Sequence, residues 1–173
     1  MRCLLVALLA VLCTASNTFD KGDPVRILVN KIGPKENPTE SYRYYDLPFC
    51  SPKDPYEESQ SIGEKLSGNR KMSSLYEAKF ETPLKNQVVC EQTFTKEQIE
   101  QFRDAVLRNY TFEMVFDEHP VRRDIGFRSD NKVYLATHLN FIAEFNPDLG
   151  KILRVHLDLD EKNPNNFADI SQP

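Results

Sequence analysis

The sequence predicts a mostly β domain, antiparallel and sandwich-like, with one packed α-helix; an α+β arrangement is the fallback. Three observations carry this. Apolar residues alternate along Phe112, Met114 and Phe116, along Val133, Leu135, Leu139, Phe141, Ala143 and Phe145, and along Leu153, Val155, Leu157 and Leu159, the period of strands with one buried face. Asn146-Pro147-Asp148-Leu149-Gly150 forms a hairpin-like turn between the last two runs, so these pair antiparallel. The clearest helical spacing is that of Ile99, Phe102, Ala105 and Val106, with Leu107 at its edge. Thr95 with Gln98 three residues later is a capping-box pattern that starts this helix.

The elements follow in order. Val25, Ile27 and Val29 alternate with Arg26, Leu28 and Asn30 as a short strand, and Gly33-Pro34 and Asn37-Pro38 break the chain into an irregular loop. Tyr42, Tyr44, Tyr45, Leu47 and Phe49 make an aromatic extended segment; such rings usually pack, and a stacking platform for sugar is the alternative. Ser51 to Tyr56 is rich in turn residues, and Ser59 to Leu66 holds at most a short helix before Gly68. Glu77 to Phe94 reads as two short strands around Pro83, the second including Val88, Val89 and Cys90. The outer side of the Thr95 helix, with Glu97, Glu100, Gln101, Arg103, Asp104 and Arg108, is an ordinary solvated face. The expected organisation is a signal peptide at 1–15, a β-rich domain at 16–162 and a flexible tail at 163–173.

Composition sets the compartment and excludes some partners. A chain of 173 residues, 40% apolar and 28% charged, is the size of one domain. The uninterrupted apolar run Leu4 to Cys13 is half the roughly 20 residues a membrane-spanning helix needs, so no span is expected in this chain. The net charge is -4 and Lys and Arg form no dense block, so nucleic acid is not an expected partner. Arg2, the run from Leu4 to Leu12, and the small residues Thr14, Ala15 and Ser16 read as a secretory leader cleaved after Ala15. Cys3 and Cys13 then leave with it. In an oxidising lumen the remaining Cys50 and Cys90 most simply form one bridge, worth roughly 4 kcal/mol by the loop-entropy argument; two separate buried thiols are the other reading. Asn109-Tyr110-Thr111 is an N-glycosylation acceptor, whereas Pro38 blocks Asn37-Pro38-Thr39.

Catalysis and metal binding find little support. None of His119, His138 and His156 has the spacing of a helical metal pair, and no nucleophile elbow or phosphate-cradling glycine loop occurs. His138, His156 and Asp158 lie on polar sides of their strands and could meet as a metal cluster, but such residues are ordinarily solvated. His119, before Pro120, reads as a loop residue. Asp117, Glu118, Asp124, Asp158, Asp160 and Glu161 read as surface charge, and Arg122-Arg123 as partners of a local ion pair with Asp124. The expectation is no enzyme, no metal and no cofactor; the alternative is a secreted carbohydrate-binding or hydrolytic β domain using the Tyr42, Tyr44, Tyr45 strip or the His138, His156, Asp158 trio.

The pattern as a whole resembles the N-terminal lumenal region of the transmembrane 9 superfamily, the nonaspanin or EMP70 family. The matching stretches are Asp23-Pro24-Val25, Val29-Asn30-Lys31-Ile32-Gly33-Pro34, Asn37-Pro38, Glu40, Tyr42, Tyr44-Tyr45 and Leu47-Pro48-Phe49-Cys50. They continue through Ser61-Ile62-Gly63-Glu64, Leu66, Gly68, Ser74-Leu75-Tyr76 to Phe80, Cys90, the helix, Phe112, Asp117, Gly126, Tyr134-Leu135-Ala136-Thr137-His138 and Phe145-Asn146. The segment Asp117 to Gly126 departs from a more apolar family pattern. The resemblance implies a lumen-facing β-rich domain of a protein with nine membrane helices in Golgi and endosomal membranes, acting in the localization of other membrane proteins. The partners it implies are membrane-protein cargo or another lumenal protein, and it carries over no catalytic residues. On this reading the chain is C-terminally incomplete and stops before the membrane helices.

Overall fold

The computed structural model describes residues 17–172, and the leader expected at 1–15 lies outside them. The described chain is mostly antiparallel β with one main helix, as the alternation predicts. Its elements are β1 (Pro24–Val25), β2 (Ile27–Pro34), β3 (Tyr42–Arg43), a 3-10 turn (Tyr44–Asp46), α1 (Ile62–Leu66), β4 (Met72–Ser73), β5 (Ala78–Lys79) and α2 (Lys96–Leu107). Then come β6 (Tyr110–Phe116), β7 (His119–Asp124), β8 (Gly126–Ser129), β9 (Lys132–Ala136), β10 (Asn140–Asn146), β11 (Lys151–Asp158), a second 3-10 turn (Pro164–Asn166) and β12 (Phe167–Asp169).

The largest sheet is built around β2. Along one edge β2 pairs with β6, which pairs in turn with β7; along the other it pairs with β4 near its start and β3 near its end. The buried residues Val25, Ile27 and Val29 keep a period of two, and Ile32 breaks it. A β-bulge reconciles them. Val29 pairs with Met114 and Ile32 with Phe112, so Asn30 and Lys31 together oppose Glu113, and the extra residue turns Ile32 back to the core. β2 also runs through Gly33 and Pro34, where an irregular loop was expected. A Cβ on Gly33 would lie 2.2 Å from the Glu40 carbonyl oxygen, so glycine permits this close approach. Pro34 is tolerated because it ends the strand.

The hairpin of β10 and β11 contains a second bulge. Glu144 pairs with Arg154 and Phe145 with Ile152, which leaves Leu153 outside the register. Leu153, expected inside, is therefore 56% exposed, while Ile152 joins the core at 7%. Strict alternation picks the wrong residue here because a bulge inverts the phase of everything beyond it.

Other expectations also change. The run Val133 to Phe145 is not one face: β9 and β10 belong to different sheets, separated by a break at Thr137 to Leu139. β9 pairs with β8 on one side and β12 on the other. Residues 163–173, expected as a tail, supply β12, the buried Asn166 and the buried Ile170, whose N–H donates to the Val133 carbonyl. Val88, Val89 and Cys90 form no strand; Val88 is 71% exposed, and only β5 represents the expected pair. The charged segment at 119–124 is the strand β7, entered through a tight turn at Asp117 and Glu118, and His119 is its first residue. Its alternation is hidden by charge, with Val121 its buried apolar anchor.

Helix α2 follows its sequence signals closely. Thr95 Oγ1 accepts from the Gln98 N–H and Gln98 Oε1 from the Thr95 N–H, at 3.3 and 2.9 Å. Phe102, Ala105 and Val106 are buried, and the helix packs on β6, β8 and β9. Gly126 allows that fit, since a Cβ there would stand 1.9 Å from the Tyr134 carbonyl oxygen and 3.0 Å from Val106 Cγ2. A single apolar core joins β1, β2, α2 and the later strands as far as Ile170.

An ionic clasp holds β12. Asp169 accepts from Ser171 Oγ at 2.5 Å and from Lys132 Nζ on β9 at 2.9 Å. The Ser171 hydroxyl first, and then Lys132, hold its carboxyl down from 3.8 to about 2. A depressed carboxylate stabilises the fold above its unfolded value and loses that contribution as pH falls toward its folded value. We predict that amide-exchange protection along β12 weakens between pH 4 and about 2, and that Asp169→Asn abolishes this pH dependence. Protection that stays flat across that window in the unsubstituted chain contradicts the clasp.

Candidate functional site

The site begins with the cysteines. Cys50 follows the 3-10 turn and Cys90 lies in the exposed segment before α2; they are bridged, with Cα atoms 6.4 Å apart, within the usual range. Each end of the bridge is anchored by a nearby ring. Phe49 stacks on Tyr44 at 4.4 Å and meets Phe102 edge-on at 5.0 Å, while Phe94 meets Phe102 at 5.3 Å. The staple thus ties two loops to the same helix residue.

A second cluster was not foreseen in the sequence. Asn30, 1% exposed, lies by strand alternation on the sheet face opposite the core, at the β2 bulge and beside Glu113, 6% exposed. Asn30 Nδ2 donates to Glu113 Oε1, at 2.5 Å, and to Asn69 Oδ1, at 3.2 Å, while its Oδ1 accepts from the Arg70 N–H at 2.6 Å. Arg122 Nε donates to the other Glu113 oxygen, and Lys31 Nζ donates to Asn69 Oδ1 and the Ser67 carbonyl. The network pins the turn after α1 to the main sheet. Its members come from four separate stretches, so no local motif marks them. Replacing Glu113 by Ala leaves buried Asn30 and the Arg122 Nε without their acceptor, an expected loss of about 1–3 kcal/mol in urea unfolding. Glu113→Gln, which keeps an acceptor for one of the two donors and sets an N–H against the other, is expected to recover only part of the loss, and an unchanged midpoint for Glu113→Ala would show that the carboxylate's hydrogen bonds do not matter.

An open groove of about 370 Å³ is lined by Pro24 to Leu28, Tyr56, Ser73, Ser74 and Tyr76 to Lys79. Arg26, Glu77 and Lys79 supply its charge, and Ser74 Oγ donates to the Ile27 carbonyl at 2.6 Å. The hydroxyl is thereby committed to the backbone, and no nucleophile and base are paired along this groove among the described residues.

The other residues singled out in the sequence do not converge. Tyr44 is buried, with burial holding its phenol well above the usual range; Tyr45 is half-buried, donates to the Ser73 carbonyl at 2.8 Å and is pushed up to about 12. Of the rings in the alternative sugar-stacking strip only Tyr42 is exposed, and it lies against Tyr110 at 6.2 Å. His156 pairs with Ile142 and Asp158 with Asn140 in the hairpin, and no group of three possible metal ligands assembles among the described residues. Arg122 and Arg123 do not pair with Asp124: Arg122 bonds Glu113, Arg123 Nε reaches the Leu157 carbonyl, and Asp124 takes Lys35 at 3.3 Å. Arg108 sits 4.9 Å over the Tyr110 ring and bonds Glu40 at 2.9 Å. Asn109, exposed at the end of α2, adopts a φ of 52°.

Among the described residues no helix is long and apolar enough to cross a membrane. The family model described as EMP70, Endomembrane protein 70, matches residues 41–170. The transmembrane 9 superfamily member 5 of Arabidopsis thaliana is 36% identical over 167 residues, covering 91% of this chain and 28% of that protein. The superfamily member 1 of Bos taurus is 37% identical over 159 residues, covering 88% and 26%. Member 2 of Arabidopsis thaliana is 33% identical over 166 residues, covering 91% and 27%. The chain therefore spans about a quarter of the length of these relatives. No solved structure matches it. With a family match across most of its core elements, from the turn before β3 to the end of β12, this chain belongs to the transmembrane 9 superfamily, the Endomembrane protein 70 family.

Proposed function

We propose that this chain is a lumenal interaction domain of a nonaspanin-like membrane protein that acts in the localization of other membrane proteins, within Golgi and endosomal trafficking. The family match over residues 41–170 carries the reading. It is supported by a bridged cysteine pair, which suits an oxidising lumen, and by an apolar core flanked by polar networks whose groups are engaged in structure. Its partners are membrane-protein cargo or another lumenal protein.

Two measurements on cells test it. Protease protection in sealed microsomes is expected to place the full chain on the lumenal side, and disruption of its gene is expected to reduce delivery of a defined set of membrane proteins to the surface, read by surface biotinylation. An unprotected chain defeats the topology. An unchanged surface proteome defeats the role.

A further inference from the structure

We propose that Asn109 carries an N-linked glycan, attached while β6 is still unpaired; this rests on the lumenal reading above. The acceptor triplet Asn109-Tyr110-Thr111 joins α2 to β6. At the helix end Asn109 takes up the left-handed conformation, φ 52°, which asparagine tolerates better than other residues bearing a side chain. Its backbone is fully engaged: the N–H donates to the Val106 carbonyl at 3.0 Å and its carbonyl accepts from the Lys35 N–H at 3.0 Å. Its side chain is exposed and takes part in no hydrogen bond among the described residues. The side-chain amide is therefore uncommitted on a hydrogen-bonded backbone, and a sugar on it displaces no hydrogen bond of the fold among the described residues.

Thr111 supplies the timing. It lies within β6, opposite Gly33 of β2 on one side and Asp124 of β7 on the other. A transferase that reads an extended acceptor with its Thr hydroxyl cannot reach this triplet once both partners are in place, so transfer precedes closure of the sheet. In the step, Asn109 Nδ2 attacks the anomeric carbon of a lipid-diphosphate-linked oligosaccharide. The carbon–nitrogen bond forms, the bond from that carbon to the diphosphate oxygen breaks, the lipid diphosphate leaves with the electron pair, and the amide proton passes to a base of the transferase. The finished glycan stands beside the half-buried Glu40 and the exposed Arg108 and Tyr42 and closes that end of α2 to protein partners.

The full chain, made in a translation system with glycosylation-competent microsomes, is expected to migrate as a single glycoform that peptide-N-glycosidase collapses. Asn109→Asp, which keeps the left-handed preference, and Thr111→Ala are expected to lose the shift, while Thr111→Ser keeps it. A protease-protected chain with no glycosidase-sensitive shift overturns the glycan and leaves the lumenal reading standing. A shift that survives Asn109→Asp also overturns the assignment. A chain left open to protease overturns both readings.

Discussion

Truncating Phe102 to Ala is expected to cost about 3–5 kcal/mol, the range for removing a fully buried aromatic ring. Phe102 is 1% exposed and lies where α2 meets the two loops that flank the disulfide. Phe49 and Phe94 both pack against its ring edge-to-face, so the truncation opens a cavity and frees both neighbours. Neither loop contributes a regular element at that point, so little else holds the two rings in place. Urea unfolding followed by far-UV circular dichroism should show the midpoint falling with an unchanged slope. Phe102→Leu, which retains most of the volume, should lose clearly less. A change below about 1 kcal/mol for the Ala variant would mean that the helix is not the anchor described here.

Replacing Cys50 by Ser is expected to cost about 4 kcal/mol, the loop-entropy value for a bridge closing 40 residues of sequence separation. The enclosed segment contains α1, β4 and β5, all short, and much of it is exposed. Its elements have few contacts of their own to offset the chain entropy released when the bridge is gone. Cys90→Ser and the double variant should match Cys50→Ser, because the bridge is lost as a unit. Reductant should lower the unsubstituted chain to the same midpoint and leave the variants unmoved. Since Phe49 and Phe94 connect the bridge to Phe102, the Cys50→Ser and Phe102→Ala losses are expected to sum to more than the double variant shows. Full additivity would separate the staple from the helix.

Much of this fold is legible in the residues themselves, wherever the physics is local. The capping box of Thr95 and Gln98 places the start of α2 correctly, and the stripe of Phe102, Ala105 and Val106 identifies its buried side. Alternation finds β6 and most of β11, and the Asn146 to Gly150 turn finds the antiparallel hairpin partner of β11, β10. The pairing of Cys50 with Cys90 follows from there being two cysteines in the expected mature chain. What stays hidden is non-local. β12 pairs with β9 from more than thirty residues away, and its three residues carry too little pattern to distinguish them from a tail. The Asn30 and Glu113 network assembles from segments with no common spacing, and Asn30 looks like an ordinary polar position of an alternating strand.

The sequence by itself determined the class of domain, its main helix, most of its long strands and its family, because periodicity, capping and residue order are properties of neighbours along the chain. The tertiary structure alone decided where the two bulges fall and that Ile152 and not Leu153 enters the core. The physical reason is common to both. A strand's side chains change faces with a one-residue slip, and whether the slip occurs depends on what the partner strand and the opposing layer can accommodate, which is information carried by residues far away in the chain.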